Sequence, residues 1–178
     1  MGELKKVSES VTVREFYELG SYEERWGYDS RIHVEVYGEG GMIAGYVFVI
    51  QPHRANPKYK IPGGSSEPED GFNPAQTAAR ELWEETGLVV LPSDLLYAGR
   101  WISSHSKQVR FLFVAQIPLP YVAAHLYDPS VDNPPAPHTN GEVPKCFLRE
   151  EAVRILCGPD FLPEHLNRLL QFKILERR

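Results

Sequence analysis

The stretch Arg80-Glu81-Leu82-Trp83-Glu84-Glu85-Thr86-Gly87 is the most informative part of this 178-residue chain. We predict that it belongs to a helix covering residues 74–86. Asn73 is a preferred helix N-cap, and Pro74 suits the first helical position because its missing N–H needs no partner there. Gly87 suits the left-handed residue that follows a last helical turn. The local sequence therefore defines both ends of this helix.

Three carboxylates share one face of the helix. At about 100° per residue, Glu81, Glu84 and Glu85 fall within an arc about 100° wide, and apolar side chains cover the opposite side. Like charges at this spacing destabilise a helix by about 0.2–0.5 kcal/mol per pair, and the helix dipole disfavours anions at this end. The pattern indicates that a cation compensates these charges. Clustered carboxylate oxygens are typical ligands of Mg²⁺ or Mn²⁺, although an ordinary acidic, solvated face also fits the periodicity.

Composition and charge argue against several classes of protein. Hydrophobic residues make up 42% of the chain and charged residues 24%, which is typical of a single globular domain over residues 1–178. A net charge of −5 argues against binding to duplex nucleic acid, because neutralising phosphates requires a surplus of Lys and Arg. The longest uncharged apolar run, residues 42–50, is too short for a bilayer, so we expect no membrane partner. Two cysteines cannot form a disulfide framework, and we expect a cytoplasmic protein.

The rest of the chain mixes predicted strands and helices without strict alternation. Strands are predicted at residues 31–37, 42–50, 88–90, 95–102, 108–117 and 146–148, and further helices at residues 149–156 and 163–175. This order predicts an α+β fold, an α/β/α sandwich with a mixed β-sheet. Residues 1–30 are predicted to form an N-terminal arm or strand. Residues 118–141 contain six prolines without a period, which predicts a Pro-rich loop that is functional or mobile.

The helix and the segment before it resemble a known family motif, the Nudix box. Arg80–Leu88 matches every defined position of the second half of that box, which runs Arg-Glu-aliphatic-any-Glu-Glu-any-Gly-aliphatic. Pro62-Gly63-Gly64 is similar to the usual entry into the box, so the resemblance covers a loop and helix at residues 62–88. The resemblance implies a Nudix-like sandwich fold.

The first half of the motif departs from the family pattern. Nine residues rather than seven separate Asp70 from Arg80, which indicates a short insertion. We assign the family's first Glu to Asp70, with Glu67 and Glu69 as alternatives.

The resemblance implies a Nudix hydrolase, a pyrophosphohydrolase that uses Mg²⁺ or Mn²⁺. Such an enzyme cleaves a nucleoside diphosphate derivative such as ADP-ribose, a dinucleoside polyphosphate, a nucleotide sugar or a nucleoside triphosphate, by attack of a metal-activated water. A non-catalytic nucleotide-sensing domain of the same fold is the alternative. The isopentenyl-diphosphate isomerase branch of the superfamily is disfavoured, because both cysteines lie downstream of the box. The implied partner is a small nucleotide, and relatives often form homodimers.

The resemblance also assigns roles to residues. The metal ligands would be Gly63, through its carbonyl, and Glu81, Glu84 and Glu85. Glu85 is counted with the catalytic residues, and either Glu81 or Glu142 would be the general base. The structural residues of the motif would be Gly64, Asp70, Arg80 and Gly87.

Basic residues near the box have two interpretations. Arg54, Lys58 and Lys60 could hold the phosphates of a substrate, or they could form a solvated basic turn. Arg110, on a predicted strand further along the chain, is predicted to be a surface residue.

Overall fold

The computed structural model of the protein describes residues 5–6, 27–103, 108–130 and 141–175. Within these ranges one sheet contains seven strands. They are β1 (Lys5–Lys6), β2 (Tyr28–Tyr37), β3 (Ile43–Ile50), β4 (Gly63–Ser65), β5 (Leu96–Ile102), β6 (Val109–Pro118) and β7 (Val143–Leu148).

The sheet is mixed and β2 is its central strand. The strand order is β1-β5-β6-β2-β3-β7, and β4 pairs with the N-terminal part of β2. β2 runs parallel to β6 and antiparallel to β3 and β4. The register places Gly63 opposite Arg31 and Gly64 opposite Ser30. The glycine pair is therefore held against the middle of the sheet.

Helices cover both faces of the sheet. The described residues form α1 (Pro74–Thr86), α2 (Leu119–His125), α3 (Arg149–Cys157) and α4 (Pro163–Gln171). Leu82 of α1 and Val122 of α2 join Val34 in the core on one face. Leu156 of α3 and Leu169 of α4 pack into the core on the other face. This arrangement confirms the predicted α+β fold and α/β/α sandwich.

α1 has the ends that its sequence predicts. The Asn73 side chain accepts a hydrogen bond of 3.0 Å from the Ala75 N–H, and Pro74 occupies the first turn. Gly87 adopts a left-handed conformation (φ 76°), and its N–H donates to the Trp83 carbonyl at 2.8 Å. The helix is thus delimited locally, before any contact with the sheet.

Three predicted elements differ from the structure. Residues 88–90 form no strand, although Leu88 is fully buried in the core beneath α1. α4 ends at Gln171 and not at residue 175, since Lys173 takes a left-handed conformation (φ 55°) that stops a helix.

The Pro-rich segment 118–141 is not a loop throughout. Pro118 ends β6, and α2 begins at Leu119 with Pro120 in its first turn, where a missing N–H costs nothing. Residues 131–140 lie outside the described residues. So do residues 1–4 and 7–26 of the predicted N-terminal arm, whereas Lys5–Lys6 and Tyr28–Ser30 belong to strands. None of the helices in the described ranges is long and apolar enough to cross a membrane.

Candidate active site

An ion pair anchors α1 to the loop before it. Arg80 Nε donates to Asp70 Oδ1 at 3.0 Å, and Arg80 Nη2 donates to Asp70 Oδ2 at 3.1 Å. Asp70 is buried and also accepts hydrogen bonds from Thr77 Oγ1 at 2.7 Å and from the Glu67 N–H at 2.9 Å. The alternative partner, the Glu67 carboxylate, lies 3.7 Å from Arg80. The geometry therefore places Asp70 in the position that pairs with the motif arginine.

Arg80 also faces two of the three helix carboxylates. Its Nη1 lies 3.0 Å from Glu81 Oε1 and 2.7 Å from Glu84 Oε2. The acidic face thus has an internal counter-charge four residues before Glu84. Burial raises the pKa of Glu81 to about 7, with Arg80 lowering it and the two neighbouring helix carboxylates raising it. Arg80 therefore compensates this charge cluster only in part.

The third carboxylate, Glu85, is buried between the glycine loop and a lysine. Glu85 Oε2 accepts a hydrogen bond from the Gly63 N–H at 2.8 Å, and Glu85 Oε1 accepts one from Lys60 Nζ at 3.0 Å. Burial raises the pKa of Glu85, although Lys60 and the Gly63 N–H lower it in part. Lys60, a predicted substrate ligand, is therefore placed directly beside one of the three helix carboxylates.

The glycine pair permits these close approaches. A Cβ on Gly63 (φ 134°) would lie 2.1 Å from the Ser30 carbonyl oxygen, and one on Gly64 would lie within 2.5 Å of the Glu81 carboxylate. No other residue fits without a shift of β4 or of the Glu81 side chain. The Gly63 carbonyl, a predicted metal ligand, accepts a hydrogen bond from Arg31 Nη1.

Glu142 reaches the same place from a distant part of the chain. It is 5% exposed and directly precedes β7. Its Oε1 accepts hydrogen bonds from Lys60 Nζ at 3.3 Å and from Gln51 Nε2, whereas its Oε2 is buried and has no hydrogen-bond partner in the part of the chain that the structure describes. Lys60 thus bridges Glu85 and Glu142, which are 57 residues apart in sequence.

The chemistry of these residues fits a divalent metal ion. Within the described ranges, no group of three or more carboxylate, imidazole or thiol side chains is arranged to hold such an ion. Instead, Arg80 and Lys60 contact the carboxylates. The donor set nevertheless consists of hard oxygen ligands, the type that Mg²⁺ and Mn²⁺ prefer. Glu142 Oε2 adds a buried carboxylate oxygen for which the described ranges provide no hydrogen-bond donor.

A basic cleft of about 360 Å³ adjoins Lys60. The predicted phosphate ligands Arg54, Lys58 and Lys60 all line it, together with Arg31 and Arg110, which sequence reasoning missed. Arg110 was expected at the surface, but its side chain is only 16% exposed. A charged residue within an otherwise apolar strand was the signal that could have identified it.

Comparison with known proteins agrees with this architecture. A family model described as the NUDIX domain matches residues 29–166. The chain belongs to the NUDIX domain family. No curated protein is significantly similar to it in sequence. Family membership confirms the expected enzyme class, a pyrophosphohydrolase, and its general activity, the hydrolysis of pyrophosphate bonds in nucleoside diphosphate derivatives.

Solved structures share the fold of this NUDIX protein at low identity. A MutT/nudix family protein from Enterococcus faecalis is 13% identical with a TM-score of 0.58, over 95% of this chain and 71% of that chain. The NUDIX domain of Shewanella oneidensis NrtR, crystallised with ADP ribose, is 13% identical with a TM-score of 0.58, over 92% and 99% of the two chains. A mutT/nudix family protein from Listeria innocua is 21% identical with a TM-score of 0.56, over 84% and 94%. These matches establish the fold.

Proposed function

We propose that this NUDIX protein hydrolyses a nucleoside diphosphate derivative with Mg²⁺ or Mn²⁺, by attack of an activated water on phosphorus. The observation that supports the proposal is the meeting of Glu85, one of the three α1 carboxylates, with Glu142 at Lys60. A polyanionic substrate would be repelled by these acids alone. A bound cation is therefore needed between the acids and the pyrophosphate.

Residues of α1 would hold the ion. Glu81, Glu84 and Glu85 supply carboxylate oxygens, and the Gly63 carbonyl supplies a fourth oxygen from β4. When bound, the ion neutralises phosphate charge and lowers the pKa of the attacking water. Arg80 fixes the helix to the Asp70 loop, so that the carboxylates keep their positions relative to β4.

Glu142 is the candidate base that the contacts favour over Glu81. Each carboxylate has one oxygen engaged, Glu81 by Arg80 and Glu142 by Lys60, but Glu81 is also a proposed metal ligand, whereas Glu142 Oε2 has no hydrogen-bond donor among the described residues. A free carboxylate oxygen can accept the proton that the attacking water loses. Lys60 holds the other oxygen of Glu142 and so positions the carboxylate.

A substrate panel tests this function. ADP-ribose, a dinucleoside polyphosphate, a nucleotide sugar and ATP are incubated with Mg²⁺ or Mn²⁺, and released mononucleotide is measured by chromatography. We expect turnover of at least one substrate, and a loss of about 10²-fold or more in Glu84→Gln and Glu85→Gln. Glu151→Gln, on the exposed side of α3, is the matched control.

Two results would contradict the proposal. One is the absence of turnover for every substrate, and the other is full activity in both helix variants. Nucleotide binding without turnover would instead favour the nucleotide-sensing alternative. A cytoplasmic location and a homodimer stay predictions, to be checked by fractionation and by light scattering.

A further inference from the structure

The cleft beside Lys60 is basic although the whole chain carries a net charge of −5. It lies between the 51–60 segment, the start of α4 and the strands β2 and β6. Five cationic side chains line it: Arg31, Arg54, Lys58, Lys60 and Arg110. The one acidic side chain among its described lining residues is Glu164, which is 52% exposed and pairs with Arg110. Three further carboxylates, Asp29, Glu85 and Glu142, contact Arg31, Arg110 and Lys60 from beside the cleft. The five cations still outnumber these four carboxylates, so the cleft keeps a surplus of positive charge.

One buried carboxylate holds two of the arginines in place. Asp29 is 3% exposed, and its Oδ2 lies 3.1 Å from Arg31 Nη2 and 3.3 Å from Arg110 Nε. Asp29 Oδ1 accepts a hydrogen bond from Ser65 Oγ at 2.8 Å. Both Nε atoms are buried: that of Arg110 contacts Asp29 only as an ion pair, and that of Arg31 makes no hydrogen bond within the described residues. Asp29 thus orients both arginines, and its single negative charge is shared between two positive charges.

The cleft adjoins two carboxylates of the proposed active site, Glu85 and Glu142. Lys60 lines the cleft and contacts both Glu85 and Glu142. Arg31 lines it too, and Arg31 Nη1 donates to the Gly63 carbonyl. A substrate whose pyrophosphate lies over the helix carboxylates would therefore extend its next group into this cleft.

The cleft suits an anion better than a base or a sugar. Its described lining residues include no Phe, Tyr or Trp, and its one imidazole belongs to a buried residue, so it offers little ring surface on which a nucleobase can stack. His165 lines the cleft and is 5% exposed. Burial lowers the pKa of His165 well below its ordinary value, and the charges of Arg31, Lys60 and Arg110 lower it further. Burial is the main cause of this pKa shift, and the cations that add to it are the ones that would attract phosphate.

We propose that this cleft binds an additional phosphate group next to the pyrophosphate that is cleaved. The preferred substrates are then polyphosphates, such as nucleoside triphosphates and dinucleoside polyphosphates. ADP-ribose and nucleotide sugars, which present an uncharged sugar at that position, are poorer substrates. Arginine forks match phosphate oxygens in pairs, which an uncharged sugar cannot replace. This inference rests on the proposed hydrolase function.

Competing substrates test the preference. ATP and ADP-ribose share adenosine, and kcat/KM is measured for each with wild-type protein, Arg110→Gln and Arg154→Gln. We expect wild type to prefer ATP, and Arg110→Gln to lower the ratio of kcat/KM for ATP over ADP-ribose at least about tenfold. Arg154→Gln, on the exposed surface of α3, should keep the wild-type ratio. A wild-type preference for ADP-ribose, or an unchanged ratio in Arg110→Gln, overturns the inference.

A binding experiment separates this inference from the hydrolase function. Calorimetric titration with inorganic tripolyphosphate in EDTA requires neither metal nor turnover. We expect binding that is at least about tenfold weaker in Arg110→Gln and undiminished in Glu84→Gln. If Arg110→Gln does not fold, Arg54→Gln on the exposed loop takes its place. Arg110-dependent binding in a protein without turnover would support the cleft and reject the hydrolase, whereas absent or unaltered binding rejects the cleft.

Discussion

The acidic face of α1 and the basic cleft lie side by side, but they are built in different ways. The acidic face consists of three carboxylates within five residues of one helix, with Arg80 as a local counter-charge. The cleft draws its cations from β2, the 51–60 segment and β6, and it orients two of them on the buried Asp29. Charges that are close in sequence can be found by periodicity, whereas charges brought together by a sheet cannot.

The acidic face and the basic cleft also have different proposed tasks. The acids of α1 can act only with a cation, because they repel a polyphosphate. The cleft needs no cation, since its own side chains supply the positive charge. Lys60 belongs to both regions, because it lines the cleft and contacts Glu85 and Glu142. Substitutions that affect only one region can therefore show which task that region performs.

The largest expected effect concerns the base. Glu142→Gln removes a proton acceptor but keeps the shape of the side chain, so we expect kcat to fall about 10²- to 10⁴-fold. The Mg²⁺ concentration that gives half-maximal activity should stay as in wild type. In Glu81→Gln that concentration should rise, because a metal ligand is lost. Steady-state kinetics over a range of Mg²⁺ concentrations checks both predictions. If the Mg²⁺ concentration for half-maximal activity also rises in Glu142→Gln, Glu142 belongs among the metal ligands.

A smaller effect is expected at the anchor of the acidic face. Asp70→Ala leaves Arg80 partly buried without its main partner, so the free energy of unfolding should fall by about 3 kcal/mol. Glu67→Ala is the matched control, since its exposed carboxylate lies 3.7 Å from Arg80, and it should change stability by less than about 1 kcal/mol. Urea denaturation measures both values. Equal losses in the two variants would show that the motif has no single anchor.

The smallest expected effect is a loss of stability at low pH that is caused by His33, which lies on β2 two residues after Arg31. His33 is fully buried and packs on Tyr46, and burial lowers its pKa from 6.5 to about 3. Between pH 6.5 and about pH 3, His33 therefore binds fewer protons in the folded protein than in the unfolded chain. The stability that is present above pH 6.5 is lost as the pH falls through this range. By pH 5 the loss should approach about 2 kcal/mol.

Two histidine variants check this pH dependence. Denaturation at pH 7 and pH 5 should give a smaller difference for His33→Leu than for wild type. His125→Leu, at an exposed position of α2, should leave the difference unchanged. If His33→Leu and wild type lose the same stability, another group is responsible for the acid sensitivity.

Sequence reasoning worked best where the determinants were local. Asn73, Pro74 and Gly87 predicted both ends of α1, and the structure confirms them. It was wrong at residues 88–90, where an apolar run predicted a strand. Leu88 packs in the same core as residues of α1 and does not pair in the sheet. A buried strand and a buried non-strand segment favour the same apolar residue types, so the sequence does not distinguish them. It also missed α2, because prolines dominate a segment that nevertheless permits a helix after its first turn.

The site also combines residues that the sequence predicts with contacts that only the fold creates. The spacing of the motif predicted a shared face for Glu81, Glu84 and Glu85, and family resemblance suggested Glu142. No sequence pattern could have indicated that Lys60 lies between Glu85 and Glu142, or that Arg31 and Arg110 share Asp29. The contacts of Asp29 depend on the parallel pairing of β2 with β6, in which Asp29 lies opposite Arg110.

The sequence by itself determined the α1 helix, its acidic face and the family, because helical periodicity and end signals act over a few residues. Only the tertiary structure decided which carboxylate pairs with Arg80, where Glu142 lies and that a basic cleft adjoins the acidic face. The physical reason is that β-sheet pairing joins residues far apart in the chain. Their charges then interact through a shared buried partner that no local pattern encodes.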